Sequence, residues 1–225
     1  DGGTMTNRLS DNPVLAAIGL ALLSAGVQAA PVELAFAAAD SDDPVANVLV
    51  LVPRDEKAPR QDRDMVQKGR RFHPHVLVVP EGSTVNFPNR DNTQHHVYSF
   101  SPAKSFELEL FADSPEKPVQ FGKAGIVELG CNIHDHMQAF IVVTSHQRVL
   151  RSSEDGRVTL PSPLASRVME AGSLAVWHPR MRDNDRVRHI ELEETSSNHR
   201  AIQLELIPET GDDEFEALQQ RFQEL

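Results

Sequence analysis

Through the middle of the chain, apolar residues recur at every second position or in short β-branched runs, the two signatures of strands. Phe106-Glu107-Leu108-Glu109-Leu110 alternates apolar with charged side chains, as a strand with one buried face does. His75-Val76-Leu77-Val78-Val79 is a β-branched run closed by Pro80-Glu81-Gly82-Ser83, a composition that turns the chain. Thr84-Val85-Asn86-Phe87 follows and ends at the turn-forming Pro88-Asn89-Arg90-Asp91-Asn92. Gly125-Ile126-Val127-Glu128-Leu129-Gly130 runs directly into Cys131, and Ala139-Phe140-Ile141-Val142-Val143 comes just after it. Short strands at this spacing, with turn residues between them, predict an all-β sandwich or barrel.

The flanks show the same periodicity with different punctuation. Val32-Glu33-Leu34-Ala35-Phe36 alternates, an acidic turn Asp40-Ser41-Asp42-Asp43 follows, and Val45 to Leu51 is apolar but for Asn47. On the other side, Asp155-Gly156 between apolar runs predicts a hairpin turn. Gly172-Ser173-Leu174-Ala175-Val176-Trp177 reads as a further strand. The charged stretch 53–65 reads as a surface loop, and 181–198 is equally charged. In the tail, Asp213 and Glu216 have capping-box spacing, and Phe215, Leu218, Phe222 and Leu225 share one helical face. A short amphipathic helix is therefore expected over 209–225.

Residues 5–29 have the pattern of a secretory signal peptide: Arg8, an apolar core from Val14 to Leu23, then Val27-Gln28-Ala29 as a small-x-small cleavage site. That core is too short for a bilayer, which takes about 20 residues. No other stretch is long and apolar enough, so the expectation is an exported, periplasmic chain without a membrane span. Lys+Arg 22 against Asp+Glu 33 gives a net charge of −11. With no basic stripe interleaved with aromatics, nucleic acid is not an expected partner. An acidic surface suits a basic protein partner instead.

Export sharpens the meaning of the one cysteine, Cys131. A lone thiol in an oxidising compartment tends to oxidise or cross-link, and metal coordination is the physical exception. Cys131 opens the run Cys131-Asn132-Ile133-His134-Asp135-His136-Met137, and a strand further upstream begins His95-His96-Val97-Tyr98. One soft sulfur, two imidazoles and a weak thioether form the ligand set of a mononuclear copper site that moves electrons. Neighbouring strand residues face opposite sides, so only one of His95 and His96 can reach such an ion. Zinc also takes Cys and His ligands, but Met137 argues for copper. A nucleophilic Cys131 paired with histidine is the other rival chemistry. His73 and His75 read as surface or turn residues, with a supporting or extra-ligand role as the alternative.

With these residues in view, the segment 66–145 resembles a cupredoxin, the blue-copper fold of plastocyanin and amicyanin. Cys131-x-x-His134-x-x-Met137 is similar to the short amicyanin-type ligand loop. Gly82-x-x-Val85-x-Phe87-x-Asn89-x-Asp91 followed by His95 is similar to the first half of that family's pattern. The resemblance implies a Greek-key β-sandwich holding one copper ion on His95, Cys131, His134 and Met137. It further implies single-electron transfer between redox proteins, a dehydrogenase and a cytochrome, rather than catalysis. His96 departs from the pattern, since the family usually has Asn there. Asp135 and His136 are polar where the family's docking surface is often apolar.

The flanks resemble a transthyretin-like, carboxypeptidase-regulatory-like sandwich, with Asp43-Pro44-Val45 in one half and Asp155-Gly156-Arg157-Val158-Thr159-Leu160-Pro161 in the other. Residues 32–65 with 146–208 would then form one discontinuous domain around the inserted cupredoxin. The pairing of modules is similar to that of exported bacterial methylamine utilisation proteins. Two further readings stay open: a copper-handling protein, and a copper enzyme with His73 or His75 in an altered coordination shell.

Overall fold

The computed structural model describes residues 2, 30–115, 117–134, 136–192 and 197–208. The expected signal peptide (5–29) and C-terminal helix (209–225) lie outside the described residues. Among the described residues no helix is long and apolar enough to cross a membrane.

The architecture is all-β with one short helix. The chain opens with β1 (Val32–Ala38) and β2 (Leu49–Pro53). Three short strands follow: β3 (Asp62–Asp64), β4 (Val66–Lys68) and β5 (Arg71–His73). Then come β6 (Val76–Pro80), β7 (Ser83–Asn86), β8 (His95–Ser101), β9 (Lys104–Phe111) and β10 (Val119–Phe121). Next are β11 (Gly125–Gly130), β12 (Gln138–Thr144), β13 (Gln147–Arg151) and β14 (Arg157–Leu160). The helix α1 (Ser162–Ala171) precedes β15 (Ser173–Trp177), β16 (Arg188–Glu191) and β17 (His199–Leu204).

The middle of the chain builds a five-stranded sheet in the order β6-β12-β11-β8-β9, facing a three-stranded sheet β10-β7-β3. The inward positions of the two sheets, among them Leu77, Val85, Val97, Phe121, Leu129 and Ile141, form one apolar core. This is a sandwich, each strand giving alternate residues to the core. A β4–β5 hairpin caps one end, pairing Lys68 with Arg71 across Gly69 and Arg70.

The flanking segments meet each other. β1 lies between β14 and the parallel β17, and β2 lies between β13 and β15 with β16 beyond. These two sheets and α1 enclose a second core around Leu34, Phe36, Val50, Val168 and Leu174. A third cluster joins the two sandwiches: Leu49, Leu51 and Trp177 pack on Val76, Ile126, Phe140 and Val142. Those last four residues lie on the outward face of the five-stranded sheet, so part of that face is covered.

Several sequence expectations need correction. The Asp155-Gly156 turn is present but does not close a hairpin, because β13 pairs with β2 and β14 with β1. The buried Ser152 side chain bonds the Val48 N–H and the Val45 carbonyl, which swings the chain from one sheet to the other. Gly156 (φ 73°) then sits where a Cβ would lie 2.5 Å from the Phe36 carbonyl. The charged stretch 53–65 contains β3, whose three side chains are all exposed. It is held through its backbone alongside β7 and by Asp62–Thr84 and Asp64–Asn86 side-chain bonds, so it has no apolar period to read. The equally charged stretch 181–198 contains β16.

Candidate metal centre

Strand β8 alternates, with His95, Val97 and Ser99 buried and His96, Tyr98 and Phe100 directed the other way. His95 is fully buried, at 0 % exposure. Its ladder with β9 is irregular: His95 pairs with Phe111 and Val97 with Leu108, so β9 carries one extra residue between them. Bulges of this kind re-aim side chains at the ends of ladders.

The loop 131–137 is closed at its base by the Gly130↔Gln138 pair between β11 and β12. Cys131 lies just beyond β11, buried in the sandwich core, and the Met137 side chain is buried in the same cluster. The Met137 N–H donates to the His134 carbonyl at 3.1 Å, which tightens the turn. His134 is half-buried, and Ile133 beside it is exposed.

These elements bring His95, Cys131 and His134 together, with one potential ligand atom from each lying within 4.8 Å of the others. Cys131 Sγ is 3.9 Å from His95 Nδ1 and 3.6 Å from His134 Nδ1. The two rings are 5.0 Å apart, inclined at 53°. Two donors, each about 2.0–2.3 Å from one ion at trigonal or tetrahedral angles, are themselves about 3.5–4 Å apart, so this spacing leaves room for an ion. One thiolate and two imidazoles fit copper by donor type, and the Cys131 side chain lies in the apolar core. Met137 is in the same core, as a thioether should be if it is to approach such a site.

The other histidines go elsewhere. His96 binds Glu107 Oε1 through Nε2 at 2.8 Å on the opposite face of the sheet. His73 contacts the Lys68 carbonyl at 3.1 Å, and His75 lies edge-on to Phe140 with centroids 5.8 Å apart. Neither belongs to the three-residue group.

Behind His95 stands Asp91, whose role the strand pattern does not reveal. Asp91 Oδ2 lies 2.8 Å from His95 Nε2. The Gly69 N–H donates to Asp91 Oδ1 at 2.6 Å, and the Arg70 N–H donates to Oδ2 at 2.9 Å. The Asp91 N–H in turn donates to Asn89 Oδ1 at 2.9 Å, an Asx turn. Desolvation pushes the Asp91 carboxyl upward, but the Arg70 and Gly69 N–H groups and His95 outweigh it and hold its pKa below the usual carboxylate value. The sequence signal for this arrangement is the spacing Asn89-x-Asp91-x-x-x-His95. The Tyr98 ring packs so closely on Gly130 that a Cβ there would lie 2.7 Å from Tyr98 Cζ.

No protein-family model and no curated protein matches the chain. Similar solved structures include a copper-containing nitrite reductase from Thermus scotoductus, at 24 % identity and TM-score 0.34 over 39 % of this chain. This chain covers 22 % of that reductase. Amicyanin from Paracoccus versutus is 14 % identical, TM-score 0.32, over 42 % of this chain and 97 % of its own. A purple cupredoxin from Nitrosopumilus maritimus is 20 % identical, TM-score 0.30, over 37 % of this chain and all (100 %) of its own.

Proposed function

We propose that the chain is a mononuclear copper protein of the type 1 class that carries single electrons between redox partners. The observation that carries this reading is the meeting of His95, Cys131 and His134, from two separate strand connections, at the buried end of an apolar sandwich. Bound copper would supply a one-electron couple between its cuprous and cupric states. Met137 is the proposed fourth ligand, weak and axial.

The protein's own contribution is positional. β8 sets His95, and the base of β11–β12 sets Cys131. The backbone bond from Met137 to His134 holds the loop in register. The apolar core needs no metal to form, so the donors stay close to their places when the ion is absent, and little movement accompanies a change of charge. His134 is the half-buried member of the group and the proposed electron exit. The signal-peptide pattern supports a periplasmic setting. The net charge of −11 supports a basic redox protein as partner.

Loading the protein with Cu(II) and recording its visible spectrum tests the reading. An intense thiolate band that vanishes on reduction and returns on oxidation is expected. Cys131→Ser should abolish the band and leave the far-ultraviolet circular dichroism of the apoprotein unchanged. Copper bound without a thiolate band would contradict electron transfer and favour the copper-handling reading instead.

A further inference from the structure

We propose that Asp91 is the positioning residue of the metal centre. Clamped by the tip of the β4–β5 hairpin, its carboxylate fixes the proton of His95 on Nε2, turns Nδ1 toward Cys131, and favours the cupric over the cuprous ion. The inference rests on the copper reading above.

The chain of contacts is complete on both sides of the ring. A neutral imidazole has one N–H and one lone pair, and a carboxylate can only accept. With Nε2 2.8 Å from Asp91, the shared proton is the ring's own, and the lone pair is left on Nδ1, 3.9 Å from Cys131 Sγ. His95 is fully buried and the Asp91 side chain is only 13 % exposed, so water competes little for either group. The carboxylate cannot follow the ring if the ring swings. Its two oxygens accept from the Gly69 and Arg70 N–H groups, and its own backbone is tied to Asn89.

The clamp depends on the backbone of one turn. Gly69 (φ 63°) and Arg70 (φ 56°) are both left-handed, as the two central residues of a type I′ hairpin are. Successive N–H groups in such turns converge into an anion-binding concavity. Here that concavity holds a side chain of the same protein. The β4–β5 hairpin thus has a task that its exposed side chains do not reveal. A ligand imidazole that donates its second N–H to a carboxylate is a stronger donor toward the metal. The more highly charged ion gains more from it, so the couple shifts toward the cupric state.

Two variants and two readouts test this. Asp91→Asn keeps an acceptor and removes the charge, whereas Asp91→Ala removes both. In the copper-free protein, long-range proton–nitrogen NMR correlations should show His95 protonated on Nε2, and Asp91→Ala should lose that preference. In the copper protein, both variants should weaken Cu(II) relative to Cu(I) by about tenfold to a hundredfold. Each tenfold raises the one-electron potential by about 59 mV. A proton on Nδ1 in the parent protein would overturn the proposal. So would potentials unchanged in both variants, and Asp91→Asn alone decides that point if Asp91→Ala does not fold. If the parent protein takes no copper, the functional reading fails, while the NMR measurement still decides what Asp91 does to His95.

Discussion

His95 and His96 are adjacent and chemically identical, and the strand alone separates what they do. His95 faces the core beside Cys131, while His96 faces outward, with its side chain 12 % exposed and its Nε2 bound to Glu107. Among the described residues the Nδ1 of His96 is buried without a partner. Replacing His95 with Gln should therefore cost the visible thiolate band and most of the copper affinity. His96→Gln should keep the band. Copper titration followed by absorption checks both, and loss of colour in His96→Gln alone would reverse the assignment. The alternation of side chains narrowed the choice to one histidine from sequence, and the family resemblance pointed to His95. Asp91 stayed without a role because its task depends on Gly69 and Arg70, twenty-odd positions upstream in the chain.

At the scale of elements, β9 shows why a clean alternating pattern can mislead. Phe106, Leu108 and Leu110 read as one buried face, yet Leu110 is 52 % exposed and Phe111 packs on the core instead. The extra residue opposite His95–Val97 shifts the face of everything after it, and nothing in the pattern marks a bulge. Helix α1 was also invisible among strands. It lacks a side-chain N-cap bond, and its marks are Pro161 at its start and the left-handed Gly172 at its end. Strand β11 carries a testable constraint of its own. Gly130→Ala would drive a methyl group into the Tyr98 ring next to Cys131. Overpacking of this kind costs about 1–3 kcal/mol. A lowered denaturant midpoint is expected, with partial recovery in Gly130→Ala/Tyr98→Ala; an unchanged midpoint would mean that the ring moves aside freely.

Across the whole molecule, the outward face of the five-stranded sheet joins the two cores. Trp177 is fully buried there, its ring 5.3 Å from Phe140, and its Nε1–H donates to the Asn184 carbonyl at 2.8 Å. Trp177→Ala should destabilise the protein by about 3–5 kcal/mol, as large aromatic truncations in cores do. Denaturant unfolding followed by circular dichroism measures that loss. The proposed copper binding should survive, because Cys131 and Met137 lie in the core on the other side of the sheet. The strand composition of the flanks was legible, since their apolar positions alternate. Their partners were not, because β1–β17 and β2–β15 join residues more than a hundred positions apart and local pattern carries no record of such pairings.

In the proposed centre, copper is held by the sulfur of Cys131 together with the rings of His95 and His134. X-ray absorption at the copper edge of the oxidised protein reads that environment directly. One sulfur neighbour with two imidazole nitrogens is the expected first shell, and a shell of nitrogen and oxygen neighbours without sulfur would contradict it.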